Sequence, residues 1–445
     1  MLQEISQFTK LLLATIQHKK IILIGHYDTD GITATAIMTQ ALKRLEAQFT
    51  TKIIKQLTEE EIYNIPKDKI VIFVDLGSGS LQKLALLKNE IFIIDHHELS
   101  QEKDFLSNRQ IHLCNPHLTN QELLCSAELA YLVAREINLE NKNFAHLAVL
   151  GMVGDVMEKN IHKIRNMIIQ EAEINVKKGV LIYPSTRPLD KALEYSSRPF
   201  IPTITANREN IIVLLKEAGI EKIGNKYKAL IDLTEAEMKK FATALMLRMP
   251  AQGADSLIGN LFLIKFFNKI EDARELSAMI NACSRMDQSN IALLLCLGNS
   301  DARKKAERIY IKYRQHIISG LKYIQTSAKI EGREYIIINA KDKVKDTIIG
   351  TLASILSFSS LYQEGKIIIA MAYNKDKIKV SARIVGRPAI SRNLKQFVES
   401  IVTSLEQKGE FGGHKHAAGC TITKTEEEKF IELIKKKLEF EMVKI

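Results

Sequence analysis

The N-terminal part of the chain alternates short apolar runs with segments of helical periodicity. Residues 21–25, 70–75 and 91–95 are rich in β-branched residues and almost continuously apolar. Residues 31–46 and 80–89, which lie between these runs, space their apolar positions as a helix does. Continuous apolar strands separated by helices are typical of a parallel sheet that is buried on both faces. The pattern therefore predicts an α/β domain in this part of the chain.

The pattern changes further along the chain. Residues 183–203 contain four of the eight prolines, which indicates a domain boundary. Residues 204–320 are mainly amphipathic helix, and alternating strand patterns return from residue 329 onward. We therefore predict three regions: an N-terminal parallel-sheet domain in residues 1–190, a linker and mainly helical middle region in residues 191–325, and a C-terminal α+β domain in residues 326–445.

Acidic residues and histidines follow the three N-terminal strands. These residues are Asp28, Asp30, Asp75, Asp95, His96 and His97. Because the carboxyl ends of parallel strands meet at one edge of a sheet, we expect these side chains to lie close together. A further aspartate, Asp155, comes just after the apolar helical run "AHLAVLGMV". An unpaired carboxylate near the interior is costly to desolvate, and a bound cation would offset that cost. The cluster therefore indicates a cation-binding site.

The residue types at these strand ends are those of a divalent metal site. Hard cations bind carboxylate oxygens, and added imidazole shifts the preference toward Mn²⁺ and similar ions. The predicted ligands are Asp28, Asp30, Asp75, His96 and Asp155. Asp75 is the natural bridge between two ions, since it ends the central strand, and such a pair suits phosphoryl displacement. Taken alone, any one of these aspartates is better explained as a helix N-cap or turn residue.

Charge and length exclude some functional classes and favour others. The net charge of +11 and pI near 9.1 favour a polyanionic partner, either nucleic acid or an anionic membrane surface, although Lys-rich surfaces also arise without one. No apolar run approaches the roughly 18 residues that a membrane-spanning helix needs. The five cysteines are odd in number and form no CxxC pair, which argues against a disulfide framework. We therefore predict a soluble, cytoplasmic protein.

A zinc site is an alternative use of some cysteines and histidines. The stretch "HLCNPH" and a nearby cysteine offer four candidate ligands: His112, Cys114, His117 and Cys125. Their spacing fits no standard zinc pattern, so we favour a structural turn at Asn115 and Pro116.

Four motifs carry a resemblance to a known family. "HYDTDG", "VDLGSG", "IDHHE" and "GMVGD", in this order, resemble the motifs of the DHH phosphoesterase superfamily. The resemblance implies that residues 1–190 form the DHH catalytic domain and bind two Mn²⁺ ions, with Mg²⁺ as the alternative. It implies these roles: metal ligands at Asp28, Asp30, Asp75, His96 and Asp155, an additional ligand at His26, a catalytic His97 beside the scissile phosphate, and Asp95 orienting the histidines.

A second landmark lies near the C-terminus. The stretch "EFGGHKHAAG", residues 410–419, resembles the substrate-binding motif of the DHHA1 domain. By this resemblance Gly412, Gly413 and His414 bind the nucleotide chain, although the family often has a third glycine where Phe411 stands. Consecutive glycines expose backbone N–H groups that can donate hydrogen bonds to a phosphate. A lone Gly-Gly-His is otherwise usually a turn.

Upstream of that motif, "KVSARI" has the alternation of a strand and places Ser381 and Arg383 on the same face. A planar guanidinium is well suited to a phosphate. The family resemblance implies that both residues contact the substrate, and a surface arginine without a ligand is the alternative.

The long middle region distinguishes branches of the superfamily. "TRPLDKALEYSSRPFIP" and "DARELSAMINACSRM" resemble segments of archaeal RecJ-like proteins. This branch implies an exonuclease that releases mononucleotides from single-stranded DNA or RNA, in DNA replication and repair or in RNA turnover, with GINS and other replication proteins as partners. The alternatives are a non-catalytic replication scaffold and a phosphatase of small nucleotides such as pAp or cyclic dinucleotides. The basic charge favours a polymer. Candidates for base stacking are Tyr195, Phe200, Tyr310 and Tyr313, but for each of them packing in the core or at the surface is the favoured explanation.

Overall fold

A computed structural model describes most of the chain as two compact units. The described residues are 1–99, 110–118, 122–194, 196, 201, 203–205, 207–249, 257–359, 361–386, 392–406 and 409–440, apart from the side chains of His414 and Phe440. The first unit comprises Met1–Gly179 and Gly259–Tyr310. The second unit comprises Val180–Ile258 and Ile311–Ile445.

The described residues form the following helices and strands. The helices are α1 Leu2–Ile16, α2 Thr29–Arg44, α3 Glu59–Tyr63, α4 Leu81–Leu84, α5 Ser126–Ile137, α6 Ala145–Gly154, α7 Lys163–Glu171, α8 Leu189–Glu194, α9 Arg208–Glu217, α10 Glu235–Met246, α11 Ala273–Arg285, α12 Ser289–Cys296, α13 Ser300–Thr326, α14 Asp346–Ser357, α15 Leu394–Val402 and α16 Glu427–Phe440. The strands are β1 Ile21–His26, β2 Phe49–Ile54, β3 Ile70–Val74, β4 Ile91–Ile94, β5 Ile111–Cys114, β6 Asn175–Val180, β7 Lys222–Ile223, β8 Lys226–Tyr227, β9 Ile258–Phe266, β10 Lys269–Asp272, β11 Ile330–Glu331, β12 Tyr335–Asn339, β13 Ile367–Asn374, β14 Lys377–Ile384, β15 Glu410–His414 and β16 Ala417–Thr423.

A parallel sheet with strand order β2-β1-β3-β4-β5 forms the centre of the first unit. Every residue of β3 and β4 is buried, because their side chains contact apolar neighbours on both faces of the sheet. Burying each such Ile, Val or Phe contributes about 1.5–3 kcal/mol. The carboxyl ends of β1, β3 and β4 meet at one edge of this sheet.

Two glycines of α6 allow it to pack closely beside α2 and α5. A Cβ atom at Gly151 would lie 2.3 Å from the Cβ of Ala127 and 2.8 Å from Oδ1 of Asp30. A Cβ atom at Gly154 would lie 2.7 Å from the side chain of Thr29. Glycine at these positions brings the end of α6, and therefore Asp155, next to the helices that follow β1 and β5.

A small sheet with strand order β10-β9-β6 completes the first unit together with α11 and α12. β9 and β10 form a hairpin whose turn residues, Phe267 and Asn268, both have positive φ angles, 48° and 61°. This conformation normally requires glycine or asparagine at both positions. The sequence has asparagine only at the second position and phenylalanine at the first, and this incomplete signal explains why the prediction of a mainly helical middle region missed these strands.

The second unit contains a mixed sheet with strand order β11-β12-β13-β14-β16-β15. β12 and β13 are parallel, and the other pairs are antiparallel. One face forms the main apolar core with α15 and α16, while α14 packs against β13 and β14. Residues 180–258 add α8, α9, α10 and the short β7–β8 hairpin.

The predicted fold class is confirmed: a parallel α/β sheet lies near the N-terminus, and a mixed sheet with helices lies near the C-terminus. The middle region, residues 191–325, is divided between the units, since residues 259–310 cluster with the first unit. Among the described residues, no helix is both long and apolar enough to cross a bilayer.

Candidate active site

Asp75 lies immediately after β3, at the centre of the sheet edge. Its side chain is 1% exposed, and its φ angle of 62° is in the left-handed region that disfavours residues with a Cβ atom. Oδ1 accepts a hydrogen bond from Oγ of Ser126 at 2.8 Å, and Oδ2 lies 3.2 Å from Nδ1 of His26. The backbone is therefore held in an unfavourable conformation at a buried carboxylate.

Two groups of metal-ligating side chains share Asp75. His26, Asp28 and Asp75 form one group, and Asp75, His96 and His97 form the other. Within each group, one ligand atom per residue lies within 4.8 Å of the others. Asp75 is therefore placed where a carboxylate could bridge two ions.

Asp30 is held by the N-terminus of α5. Its two carboxylate oxygens accept hydrogen bonds from the backbone N–H groups of Ser126 and Ala127, at 2.8 and 2.9 Å. The positive end of the helix dipole also favours a carboxylate at this point. Asp30 is 2% exposed, so these two N–H groups replace the water that burial removes.

His96 lies between carboxylates on both sides of its ring. Nε2 is 3.8 Å from Asp30 and 3.5 Å from Asp75, while Nδ1 is 3.8 Å from Asp155. Burial lowers the pKa of His96 below its ordinary value, against the pull of Asp30. A lowered pKa favours the neutral imidazole, which is the form that binds metals.

Asp95 lies behind the two histidines. Its Oδ1 is 2.7 Å from Nδ1 of His97, and the carboxylate also accepts backbone N–H groups from Ser78, His96 and His97. Burial opposes ionisation, but these hydrogen bonds, led by that of His97, hold the pKa of Asp95 well below its ordinary value. Burial would lower the pKa of His97, but the Asp95 hydrogen bond and charge raise it to about 9. His97 is therefore an imidazolium at neutral pH.

The remaining carboxylates repel one another. Burial and then the charges of Asp28 and Asp30 raise the pKa of Asp75 well above its ordinary value. Burial, Asp30 and Asp28 raise the pKa of Asp155 to about 8. Buried carboxylates this close together cannot all ionise without a cation. Their oxygens and the neutral imidazole of His96 form a donor set that fits divalent ions.

Several residues to which the sequence analysis gave no role in the site also shape it. Ser126 bonds Asp75, and Asn115 donates from Nδ2 to Oγ of Ser78 and to the carbonyl oxygen of His97, both at 2.9 Å. Asn115 follows β5, so the strand-end rule could have found it. In α11, the carbonyl oxygen of Ser277 accepts from Oγ1 of Thr29, next to Asp28 and Asp30. This last contact joins residues far apart in sequence, and no local pattern could have shown it.

The alternative zinc site is not assembled. Neither of the ligand groups found among the described residues includes His112, Cys114, His117 or Cys125. His112 lies 3.3 Å from Oε2 of Glu90 instead. Burial raises the pKa of Cys114 to about 12 and keeps its sulfur protonated.

The C-terminal candidates lie on three neighbouring strands of one sheet. Ser381 on β14 pairs with Gly419 on β16, which pairs with Gly412 on β15. In the next row on the same face, Arg383 pairs with Ala417, which pairs with His414; Gly413 occupies the position between the two rows. The rows place the predicted substrate-binding residues side by side.

Ser381 and Arg383 face α14, as the alternation predicts. An added Cβ atom at Gly350 in α14 would lie 3.1 Å from Oγ of Ser381 and 3.8 Å from Nη2 of Arg383. Nε of Arg383 donates to Oγ of Ser354 at 2.9 Å. The guanidinium is therefore oriented by the protein before any ligand binds.

The two adjacent glycines differ in their surroundings. Gly413 has a φ angle of 131°, and a Cβ atom there would lie 2.4 Å from the carbonyl oxygen of Ala417. At Gly412 an added Cβ atom would meet nothing within 4 Å, so this face of the strand is open at Gly412. Phe411, where the family often has glycine, packs against the apolar core.

The two candidate stacking residues that the structure describes have buried side chains. Tyr310 is 7% exposed and Tyr313 is 5% exposed, and the Tyr313 hydroxyl lies 2.9 Å from Oγ1 of Thr351. Both tyrosines therefore pack in the interior, as the favoured alternative to base stacking predicts. Tyr195 and Phe200 lie outside the described residues.

Family models match three parts of the chain. The DHH family N-terminal domain matches residues 20–152, the DHH-CID domain matches residues 182–259, and the DHHA1 domain matches residues 332–439. The chain belongs to the DHH/DHHA1 superfamily. The family resemblance of the motifs is thereby confirmed, and the DHH match includes four of the five predicted metal ligands, with Asp155 just beyond it.

Two relatives show how far the sequence likeness extends. An uncharacterized protein from Methanocaldococcus jannaschii is 27% identical over 97% of both chains. The single-stranded-DNA-specific exonuclease RecJ from Bacillus subtilis is 31% identical over 100 residues, which are 20% of this chain and 13% of RecJ.

Solved structures share the fold of this DHH/DHHA1 protein. RecJ from Thermus thermophilus in complex with Mn²⁺ has a TM-score of 0.59 at 18% identity, over 97% of this chain and 54% of RecJ. This chain thus spans about half the length of that RecJ. CDC45 from Entamoeba histolytica has a TM-score of 0.71 at 14% identity, over 97% of this chain and 98% of CDC45. This chain therefore has a DHH-family phosphoesterase fold that resembles the fold of RecJ.

Proposed function

We propose that this protein is a metal-dependent exonuclease that hydrolyses single-stranded nucleic acid to mononucleotides. The observation that carries this proposal is the position of Asp75 at the carboxyl edge of the parallel sheet, where its Oδ2 lies 3.2 Å from His26 and its Oδ1 lies 3.5 Å from His96. A carboxylate common to two groups suits a pair of ions that acts on a phosphodiester. The single-strand preference draws support from the Bacillus subtilis relative, which is a single-stranded-DNA-specific exonuclease.

The proposed ligands of two Mn²⁺ ions, or of Mg²⁺ as the alternative, are Asp28, Asp30, Asp75, His96, Asp155 and His26. Bound ions of this kind supply a hydroxide at neutral pH and offset charge on the phosphate. His97 keeps its proton because Asp95 raises its pKa to about 9. As an imidazolium, His97 either stabilises the charge on the phosphate or protonates the leaving oxygen.

A polymeric substrate is supported by the C-terminal sheet and by charge. Arg383 and the open face at Gly412 lie in adjacent rows, where successive phosphates could bind, and Ser381, which is 6% exposed, lies in the row of Gly412. The net charge of +11 favours a long polyanion, because each phosphate contact releases counterions. A replication scaffold that binds proteins such as GINS is the second candidate, and the likeness to CDC45 over 97% of the chain favours it.

A digestion time course tests the proposal. Single-stranded DNA and RNA oligonucleotides, labelled at either end, are incubated with the protein and Mn²⁺ or Mg²⁺, alongside pAp and a cyclic dinucleotide. We expect mononucleotides to accumulate from one end of a single strand. Strands that bind but are never shortened would favour the scaffold, and hydrolysis of the small nucleotides alone would favour the phosphatase.

Gly413→Ala should weaken binding of single-stranded oligonucleotides about tenfold. The added methyl group would collide with the carbonyl oxygen of Ala417 and displace β15, which carries the neighbouring Gly412. Losing about one charge-assisted hydrogen bond to a phosphate corresponds to about 1.5 kcal/mol, or roughly tenfold in affinity. Fluorescence anisotropy with a labelled oligonucleotide measures the change.

Gly365→Ala is the matched control, because Gly365 also has a positive φ angle, 87°, but meets nothing within 4 Å. The control should lose some stability and keep its affinity. Equal losses of affinity in both variants would show that Gly413 acts only through stability.

A further inference from the structure

Arg165, near the start of α7, is a buried cation that the proposed chemistry does not use. It is 1% exposed. Its Nε and Nη2 atoms each donate to one carboxylate oxygen of Glu128, both at 2.7 Å. This bidentate arrangement fixes the relative orientation of the two side chains. Because Glu128 belongs to α5, the pair joins the N-terminal turns of α5 and α7.

The same guanidinium also holds the loop that follows Asp155. Nη1 donates to the carbonyl oxygens of Met157, at 3.1 Å, and Asn160, at 2.5 Å. Nη2 donates to the carbonyl oxygen of Leu123 at 2.9 Å. One side chain therefore connects the Asp155 loop to the segment that leads into α5.

On the α5 side, Glu128 is next to the groups that hold the metal-site carboxylates. Its Oε2 accepts the backbone N–H of Cys125 at 2.9 Å. The next two N–H groups, of Ser126 and Ala127, both donate to Asp30, and the Ser126 hydroxyl donates to Asp75. Any rotation of the first turn of α5 would therefore move the donors away from two carboxylates at once.

We propose that Arg165 is a positioning residue: together with Glu128 it sets the placement of Asp30, Asp75 and Asp155 relative to one another. A buried ion pair is a weak source of stability, because desolvation offsets most of its attraction. The bidentate geometry of the pair, however, requires the planar guanidinium of arginine with its five donors, which lysine cannot reproduce. The pair suits a site whose carboxylates repel each other and must be held at fixed distances.

A second ion pair joins the same two helices at their opposite ends and provides a matched control. Arg135 on α5 contacts Glu171 on α7, with Nε–Oε1 at 3.1 Å and Nη2–Oε1 at 3.0 Å. Glu171 pairs further with Tyr131 and Lys142 and not with the site. If a variant acted only by loosening the contact between α5 and α7, substitutions in either ion pair should have the same effect.

The test compares Arg165→Lys with Arg135→Lys in the full chain. Calorimetric titration with Mn²⁺ gives affinity and stoichiometry, and hydrogen exchange of the metal-free proteins reports on the N–H groups of Ser126 and Ala127. We expect Arg165→Lys to bind Mn²⁺ about 10- to 100-fold more weakly, the range found when partners of metal ligands are lost, with faster exchange at both N–H groups. Arg135→Lys should match the wild type in both measurements.

Unchanged Mn²⁺ binding by Arg165→Lys, or equal weakening in both variants, would overturn the positioning role. If Arg165→Lys does not fold, Glu128→Gln replaces it, since glutamine keeps the shape and one acceptor, and the same expectations apply. The inference rests on the proposed metal site, but no substrate is used. If the wild-type protein binds no Mn²⁺, the proposed function itself is rejected. If the wild type and Arg165→Lys bind Mn²⁺ equally well, only the positioning role of Arg165 is rejected.

Discussion

Asp75→Asn should reduce hydrolysis about 10³-fold and at the same time raise the melting temperature of the metal-free protein. A metal site contributes several kcal/mol of transition-state stabilisation, and each 1.4 kcal/mol corresponds to about tenfold in rate. The gain in stability arises because burial and the charges of Asp28 and Asp30 raise the pKa of Asp75 in the folded protein, so ionisation at neutral pH favours the unfolded chain, whereas asparagine does not ionise. Asparagine also tolerates the φ angle of 62° and keeps an acceptor for Ser126.

Asp75→Ala is the matched control for the two effects. Alanine removes the same charge but leaves the buried Ser126 hydroxyl without its acceptor and tolerates a positive φ angle poorly. We therefore expect equal loss of activity in both variants and a higher melting temperature only in Asp75→Asn. Thermal unfolding with and without Mn²⁺, together with the digestion assay, measures both. A variant that hydrolysed single strands at the wild-type rate would show that Asp75 is not a ligand.

The sequence was most informative where a single local rule places a residue. The rule that parallel strands end at one edge is enough to bring Asp30, Asp75 and His96 together. Asp155 could be included because the helix before it is strongly apolar and carries glycines that permit close packing. In the C-terminal sheet, strand alternation predicted the common face of Ser381 and Arg383.

The features that the sequence could not show arise from contacts between segments that are far apart in the chain. The register that places Ser381 beside Gly419 and Gly412 is set by pairing across three strands, and no one strand encodes it. The turn at Phe267 and Asn268 has no glycine although both residues have positive φ angles, so the usual turn signal is incomplete in the sequence. The network around Arg165 was missed for a related reason: an isolated arginine in a polar helix is usually exposed, and only tertiary packing shows this one to be buried.

The metal-free protein should lose stability as pH rises from about 5 to 9, and Mn²⁺ should reverse the loss. In the folded protein the pKa of Asp155 is raised to about 8 by burial, Asp30 and Asp28, whereas the unfolded chain titrates near pH 4. Folding thus takes up a proton between these values, so stability falls as pH rises through the window. His97 acts in the same direction, because its pKa of about 9 exceeds its ordinary value of 6.5; its contribution is complete below pH 6.5 and is lost through pH 9.

Differential scanning fluorimetry at several pH values, with and without saturating Mn²⁺, measures this dependence. The metal binds the deprotonated carboxylates, so its stabilising effect should grow as pH rises. Asp155→Asn should reduce the decline between pH 5 and 8 and leave the parts that Asp75, whose pKa is also raised, and His97 cause. A metal-free melting temperature that rises over this range would mean that the carboxylates do not share one crowded site. In that case the donor set would need no cation, and the argument for a two-ion nuclease would lose its physical basis.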